Sequence, residues 1–105
     1  MPDDLKSFPA VNRMIHEPAR LAILTVLSAC EKADFLFLQR STGLSKGNLS
    51  VQISRLEEGG LVHVEKTIRR KKTLTTVSLV RLGRDEIAGY WKTMDRIRKQ
   101  ANHAT

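Results

Sequence analysis

Apolar residues along the chain follow a helical rhythm first and a strand rhythm later. Pro18 suits the first turn of a helix, because its missing N–H needs no partner there and its φ is already set. Behind it Leu21, Ala22, Ile23, Leu24, Val26 and Leu27 leave little polar face, so Ala19 to Cys30 predicts a central helix covered on most sides. Asp34 is a suitable N-cap for a short second helix carrying Phe35, Leu36, Phe37 and Leu38, which Gly43 breaks. Ser45 can cap a third helix. On it Leu49, Ile53 and Leu56 recur at i, i+4 and i+7, until Gly59 and Gly60 stop it through the left-handed conformation glycine tolerates.

The period then falls to two. Val62 and Val64 alternate with His63 and Glu65, and Val77 and Leu79 alternate with Thr76 and Ser78, which predicts two antiparallel strands. From about Arg81 to Gln100 the pattern is helical again, with Ile87, Trp91, Met94 and Ile97 on one stripe. Helix, helix, turn, helix, β-hairpin, helix describes a winged helix-turn-helix: mainly α with a small β-hairpin, α+β in class. It predicts one domain over residues 1–105, with its core at about 16–80 and a C-terminal dimerisation helix at about 81–100.

Composition adds a partner class. The chain has 105 residues, enough for one domain and too few to suggest a separate catalytic or ligand-sensing one. Lys and Arg number 18 against 11 Asp and Glu, a net charge of +7 that points to a polyanion. The surplus is uneven: residues 1–44 hold five basic and five acidic side chains, residues 45–72 seven and three, and residues 73–105 six and three. Lys66, Arg69, Arg70, Lys71 and Lys72 fall within seven positions, between the two strands. That places them on a hairpin tip.

The single cysteine, Cys30, cannot staple the fold, and reads as a small buried filler at a helix end. The N-terminus lacks the apolar run of a secretion signal. Leu21 to Cys30, broken by Thr25 and Ser28, falls short of the ~20 residues a membrane span needs. A cytoplasmic location is expected. His16, His63 and His103 are far apart, and no nucleophile elbow, phosphate loop or metal-ligand spacing is present, so neither catalysis, a metal nor a cofactor is expected.

The run SKGNLSVQISRLEEGGLV, Ser45 to Val62, resembles the recognition helix and first wing strand of small bacterial and archaeal winged-helix regulators of the ArsR and MarR kind. PARLAIL, Pro18 to Leu24, is similar to their first core helix, and TTVSLVRLGRDEI, Thr75 to Ile87, to their second wing strand and last helix. The resemblance implies a transcriptional regulator. Two departures stand out: Val80 occupies the place of a helix-capping Thr, and the wing tip has neither Gly nor Pro. The clustered Cys and His ligands of ArsR-type metal sensors are also lacking.

At ~100° per residue, with Leu49 at 0°, Ile53 falls near 40° and Leu56 near 340°, and the opposite face carries Gly47, Asn48, Val51, Ser54, Arg55 and Glu58. Lys46, Ser50 and Gln52 flank it. Asn48 and Gln52 each offer a donor and an acceptor, as adenine N7 and N6 require, and Arg55 suits guanine O6 and N7 or a phosphate. Val51 suits a thymine methyl, and Ser45 and Ser50 suit the phosphate backbone. In the wing, Lys66, Arg69, Arg70, Lys71 and Lys72 suit phosphates and the minor groove. The expected partners are double-stranded DNA and a second copy of the chain, paired through Phe8, Val11, Met14, Ile15, Ile87, Trp91, Met94 and Ile97. A protein-interaction module and a non-specific architectural nucleic-acid binder are the alternatives.

Overall fold

The computed structural model describes residues 11–103. The elements are α1 (Pro18–Ser28), β1 (Ala33–Asp34), α2 (Phe35–Thr42), α3 (Lys46–Glu58), β2 (Val62–Arg69), β3 (Lys72–Leu79) and α4 (Arg81–His103). The four helices and the hairpin lie where the hydrophobic pattern places them. One strand was not foreseen: β1 pairs antiparallel with β3, Ala33 opposite Val77, giving a three-stranded sheet of order β1-β3-β2. Two residues are too few to show a period.

α1 is the hub. It touches α2, α3, α4 and β3, and Ile23, Leu24 and Leu27 are fully buried at those contacts. Pro18 occupies its first turn, and Glu17 caps it by accepting from the amides of Ala19 (3.1 Å) and Arg20 (2.8 Å). Burial works against the Glu17 charge. The two amides and the Arg20 guanidinium outweigh it and hold the carboxyl below its ordinary range.

Around this hub α2 contributes Leu38, α3 contributes Leu49, Ile53 and Leu56, and the sheet contributes Ala33, Val62, Val77 and Leu79. Asp34 caps α2 by accepting from the Phe37 amide (2.8 Å), and Gly43 ends it at φ +73°. At the end of α3 Gly59 keeps a right-handed φ of −76°, and Gly60 alone takes the left-handed turn at +75°. Cys30, expected to be buried, is only half-buried beyond the end of α1.

α4 begins at Arg81, with the Val80 carbonyl accepting from Arg84 N (3.0 Å) while the Val80 amide donates to Leu61 O (3.1 Å). The first of these is the opening i→i−4 bond of the helix and the second ties its start to the strand entry; Val80 offers no side-chain acceptor of the kind a capping Thr would supply. The helix passes so close to the strand entry that a Cβ on buried Gly83 would overlap the Leu61 carbonyl and come within 3.0 Å of Leu79 Cδ2. Ile87 and Tyr90 then anchor α4 in the core, and Asn12 Nδ2 donates to Glu86 Oε2 (2.8 Å). His16 Nδ1 and the Tyr90 hydroxyl share a 2.9 Å hydrogen bond.

Past Met94 the helix leaves the core. The molecule measures 59 × 26 × 21 Å with a radius of gyration of 16.4 Å, against about 13 Å for a compact chain of ~100 residues. Asp95 braces this outer part through Arg98 (2.6 Å) and Lys99 (3.1 Å). Those two hydrogen-bonded cations, Arg98 first, hold its carboxyl below the usual range.

Gly83→Ala is expected to cost about 1–3 kcal/mol, because backbone stands where the methyl must go. Gly89→Ala, with nothing within 4 Å, is expected to gain about 0.5–1 kcal/mol from helix propensity. Denaturant unfolding of both variants checks the pair. Equal effects would contradict the close approach at Gly83.

Candidate nucleic-acid interface

The outer face of α3 is built by elimination. Leu49, Ile53 and Leu56 are drawn into the core, which leaves Lys46, Gly47, Asn48, Ser50, Val51, Ser54, Arg55 and Glu58 exposed. Ser45 caps the helix, its Oγ accepting from the Asn48 amide at 3.2 Å. Val51 is 49% exposed and has no role in the core. Gln52 differs from its neighbours: it is half-buried on the flank facing α1, where its Oε1 accepts from Arg20 Nη1 (3.0 Å) and its Nε2 donates to Asn48 Oδ1 (3.1 Å). Arg20 was not among the residues the pattern singled out.

The hairpin β2–β3 runs in register from Val62 opposite Leu79 to Arg69 opposite Lys72. Its eight-residue strands span about 27 Å, and beyond Val64 every β2 residue is exposed. The strand period divides the basic run. Lys66 shares a face with Val62 and Val64, and together with Ser50, Ser54 and Thr75 it lines a cleft of about 190 Å³ between the wing and α3. Arg69 lies on the other face, with Lys32, Glu65, Thr67 and Thr76 around it. Only Arg70 and Lys71 form the tip.

Those two residues make the turn by adopting φ of +49° and +65°. Paired Arg69 and Lys72 close a two-residue loop, the geometry that Asn-Gly usually supplies. Each side chain in this region costs roughly 1–2 kcal/mol relative to glycine. Ile68, 79% exposed beside the tip, is a further residue the pattern did not single out.

A second cleft, of about 440 Å³, continues from Lys46 and Ser50 on α3 to Thr73, Leu74 and Thr75 on β3. The outer face of α3 and the wing are therefore one continuous surface. It carries Lys46, Arg55, Lys66 and the tip cations; its carboxylates are Asp34, which lines the second cleft, Glu57, which lines the first beside Lys66, and Glu58 at the end of α3.

The residues expected to pair two copies divide. Phe8 lies outside the described residues. Ile15 is 0% and Ile87 3% exposed, so both belong to the chain's own core. Ile15 packs there just ahead of α1, and Ile87 sits in the first turns of α4, where that helix is still held against the domain. Val11 and Met94 are half-buried against the same core. Met14 and Trp91 are 38% and 47% exposed, and Ile97 is half-buried on the projecting part of α4. Trp91 stacks edge-on against Tyr90 with ring centroids 5.2 Å apart. Leu82, 50% exposed, is an additional apolar residue on α4.

No helix among the described residues is long and apolar enough to cross a membrane. Among the same residues no group of three or more His, Cys, Asp or Glu could hold a metal ion.

Comparison with known proteins agrees with this architecture. An uncharacterized protein of Methanocaldococcus jannaschii is 27% identical over 78 residues, covering 74% of this chain and 85% of that protein. The structure of a transcriptional regulator homologue from Pyrococcus horikoshii OT3 superposes with a TM-score of 0.77 at 28% identity, over 92% of this chain and 91% of the other. A MarR family transcriptional regulator from Silicibacter pomeroyi shares the fold, with a TM-score of 0.66 at 22% identity over 87% of this chain and 58% of its own. Both of these solved structures are described as transcriptional regulators. Residues 19–98 match the sequence profile of the winged helix DNA-binding domain, and the chain belongs to that family.

Proposed function

We propose that the chain is a dimeric, sequence-specific transcriptional regulator that lays α3 in the major groove of double-stranded DNA and rests its basic wing on the flanking phosphates. The observation that carries this is the continuous surface from the polar outer face of α3 to Lys66 and the tip, on which the cations Lys46, Arg55, Lys66, Arg70 and Lys71 outnumber the carboxylates Asp34, Glu57 and Glu58. On it Lys46, Ser45 and Ser50 stand near the N-terminus of α3, where side chains and amides meet the backbone, and Asn48, Val51 and Arg55 face base edges. Arg69, Arg70, Lys71 and Lys72 meet phosphates or the adjacent minor groove, and Lys66 meets the strand that runs between wing and helix.

A single winged helix has a small footprint. Two copies related by a two-fold axis reach half-sites about one helical turn, ~34 Å, apart. The outer part of α4 supplies the contact, with Trp91, Met94 and Ile97 as its apolar side; Met14 stands apart from it, beside Gly59 at the end of α3. Burial of a large aromatic side chain such as Trp91 supplies the main stabilisation there.

Neutralising Arg69 and Arg70 is expected to weaken binding to all duplexes and to flatten the plot of log affinity against log salt by roughly one unit per lost phosphate contact. A salt titration with an unchanged slope would contradict the wing's role. Lys71→Gly is expected to move two readouts in opposite directions, raising stability by about 1 kcal/mol as the left-handed strain is relieved and lowering DNA affinity. Light scattering at micromolar concentration should give twice the chain mass of 11.8 kDa, and Trp91→Glu should return it to one chain. A monomeric parent protein would remove the dimer.

A further inference from the structure

We propose that Arg13, in the segment ahead of α1, grips the DNA phosphate backbone on the side of α3 away from the wing, so that the helix enters the major groove between two basic walls. The proposal rests on α3 lying in that groove.

The flanks of α3 follow from its helical angles. With Leu49 at 0° and ~100° per residue, Ser50, Ser54 and Glu57 fall at about 80–140°, and these line the cleft shared with Lys66 of the wing. Val51 stands near 200°, in the middle of the exposed face. Arg55, Gly59 and Gln52 fall at about 240–300°, on the other flank, where Gln52 accepts from Arg20 Nη1 (3.0 Å). There Arg55 and Gly59 line a cleft of about 470 Å³ together with Arg13, Met14, Arg20 and Glu58. Lys66 and Arg13 thus stand on opposite sides of the face proposed to meet base edges. A helix about 10–12 Å across fills a major groove about 12 Å wide, and each of its flanks then faces one row of phosphates.

The backbone that carries Arg13 is fixed. Asn12 Oδ1 accepts from the amides of Met14 (2.9 Å) and Ile15 (3.4 Å), His16 N donates to Asn12 O (2.8 Å), and Ile15 is buried in the core. Arg20, its side chain only 12% exposed, donates from Nε to Met14 O (2.6 Å) and from Nη2 to Arg13 O (3.5 Å). The Arg13 side chain stays exposed, with no hydrogen bond or ion pair to any of the described residues. Around the cleft three guanidiniums stand against two carboxylates, Glu17, 3.8 Å from Arg20, and Glu58 on the wall. Arg20 is engaged by Glu17, two backbone carbonyls and Gln52. In the proposed mode of binding Arg55 meets a base edge, which leaves Arg13 for the phosphate.

Two measurements on Arg13→Gln test this. The side chain holds nothing in the fold, so the variant should unfold at the same denaturant concentration as the parent protein. On any duplex it is expected to bind about fivefold more weakly at ~0.15 M salt and to flatten the plot of log affinity against log salt by about 0.9, the effect of one lost phosphate contact. An unchanged slope overturns the contact. The second measurement locates it. In a duplex selected by the parent, phosphates are replaced one at a time by uncharged methylphosphonates. Positions that weaken the parent but not Arg13→Gln mark the phosphates Arg13 meets, and the same scan with Lys66→Gln marks those on the wing side. The two sets are expected on opposite strands, across the major groove from one another. Sets that coincide, or that share a strand, overturn the arrangement of opposed walls. A parent protein that binds duplex DNA without salt dependence, or not at all, overturns the DNA reading itself and the inference with it.

Discussion

Everything the surface of this domain does depends on one interaction, the burial of Leu49, Ile53 and Leu56 of α3 in the core built around α1. Each of these side chains contributes roughly 1.5–3 kcal/mol on leaving water. That is large against the few tenths of a kcal/mol that separate exposed residue choices on a helix. The inner face therefore fixes the rotation of α3, and rotation decides which residues point outward. Asn48, Val51 and Arg55 form a presenting face because three apolar neighbours cannot.

The same core positions the other two working parts. β3 enters through Val77 and Leu79, which pins the root of the wing while its far half stands free in solvent. α4 is held close by Gly83, Ile87 and Tyr90, and is released beyond Met94. A rigid root with a free end suits both the wing and the last helix, because each then carries charge or apolar surface away from the domain at a defined angle. Arg20 adds a polar link to this apolar scheme, joining the backbone of residues 13 and 14 to the amide of Gln52.

Much of this was legible in the sequence, for reasons that can be named. The helices carry clear periods and local stop signals: Pro18, Asp34, Gly43 and Ser45 act where their chemistry says they should. The outer face of α3 followed from its inner stripe. What periodicity does not carry is the contact between distant segments. β1 is two residues long and exists because Val77 offers it a partner. Gly83 looked like an ordinary helical residue until Leu61 came beside it. Ile15 and Ile87 are apolar residues in the right neighbourhood for a pairing surface, and only the packing of α4 on the domain shows that they are already used. The bond from Arg20 to Gln52 spans 32 positions. In the wing, the charge run was visible but its division into Lys66 on one face, Arg69 on the other and two residues at the tip required the register.

In the proposed mode of binding, DNA meets the continuous surface of α3 and the wing while the free end of α4 stays clear of it. Amide chemical-shift mapping of the isotopically labelled protein with a selected duplex distinguishes this placement from others. Perturbations are expected to concentrate at residues 45–55 and 66–72, with the amides beyond Met94 little changed. Perturbations centred on the outer part of α4, or on exposed Leu36 and Phe37 of α2, would contradict it.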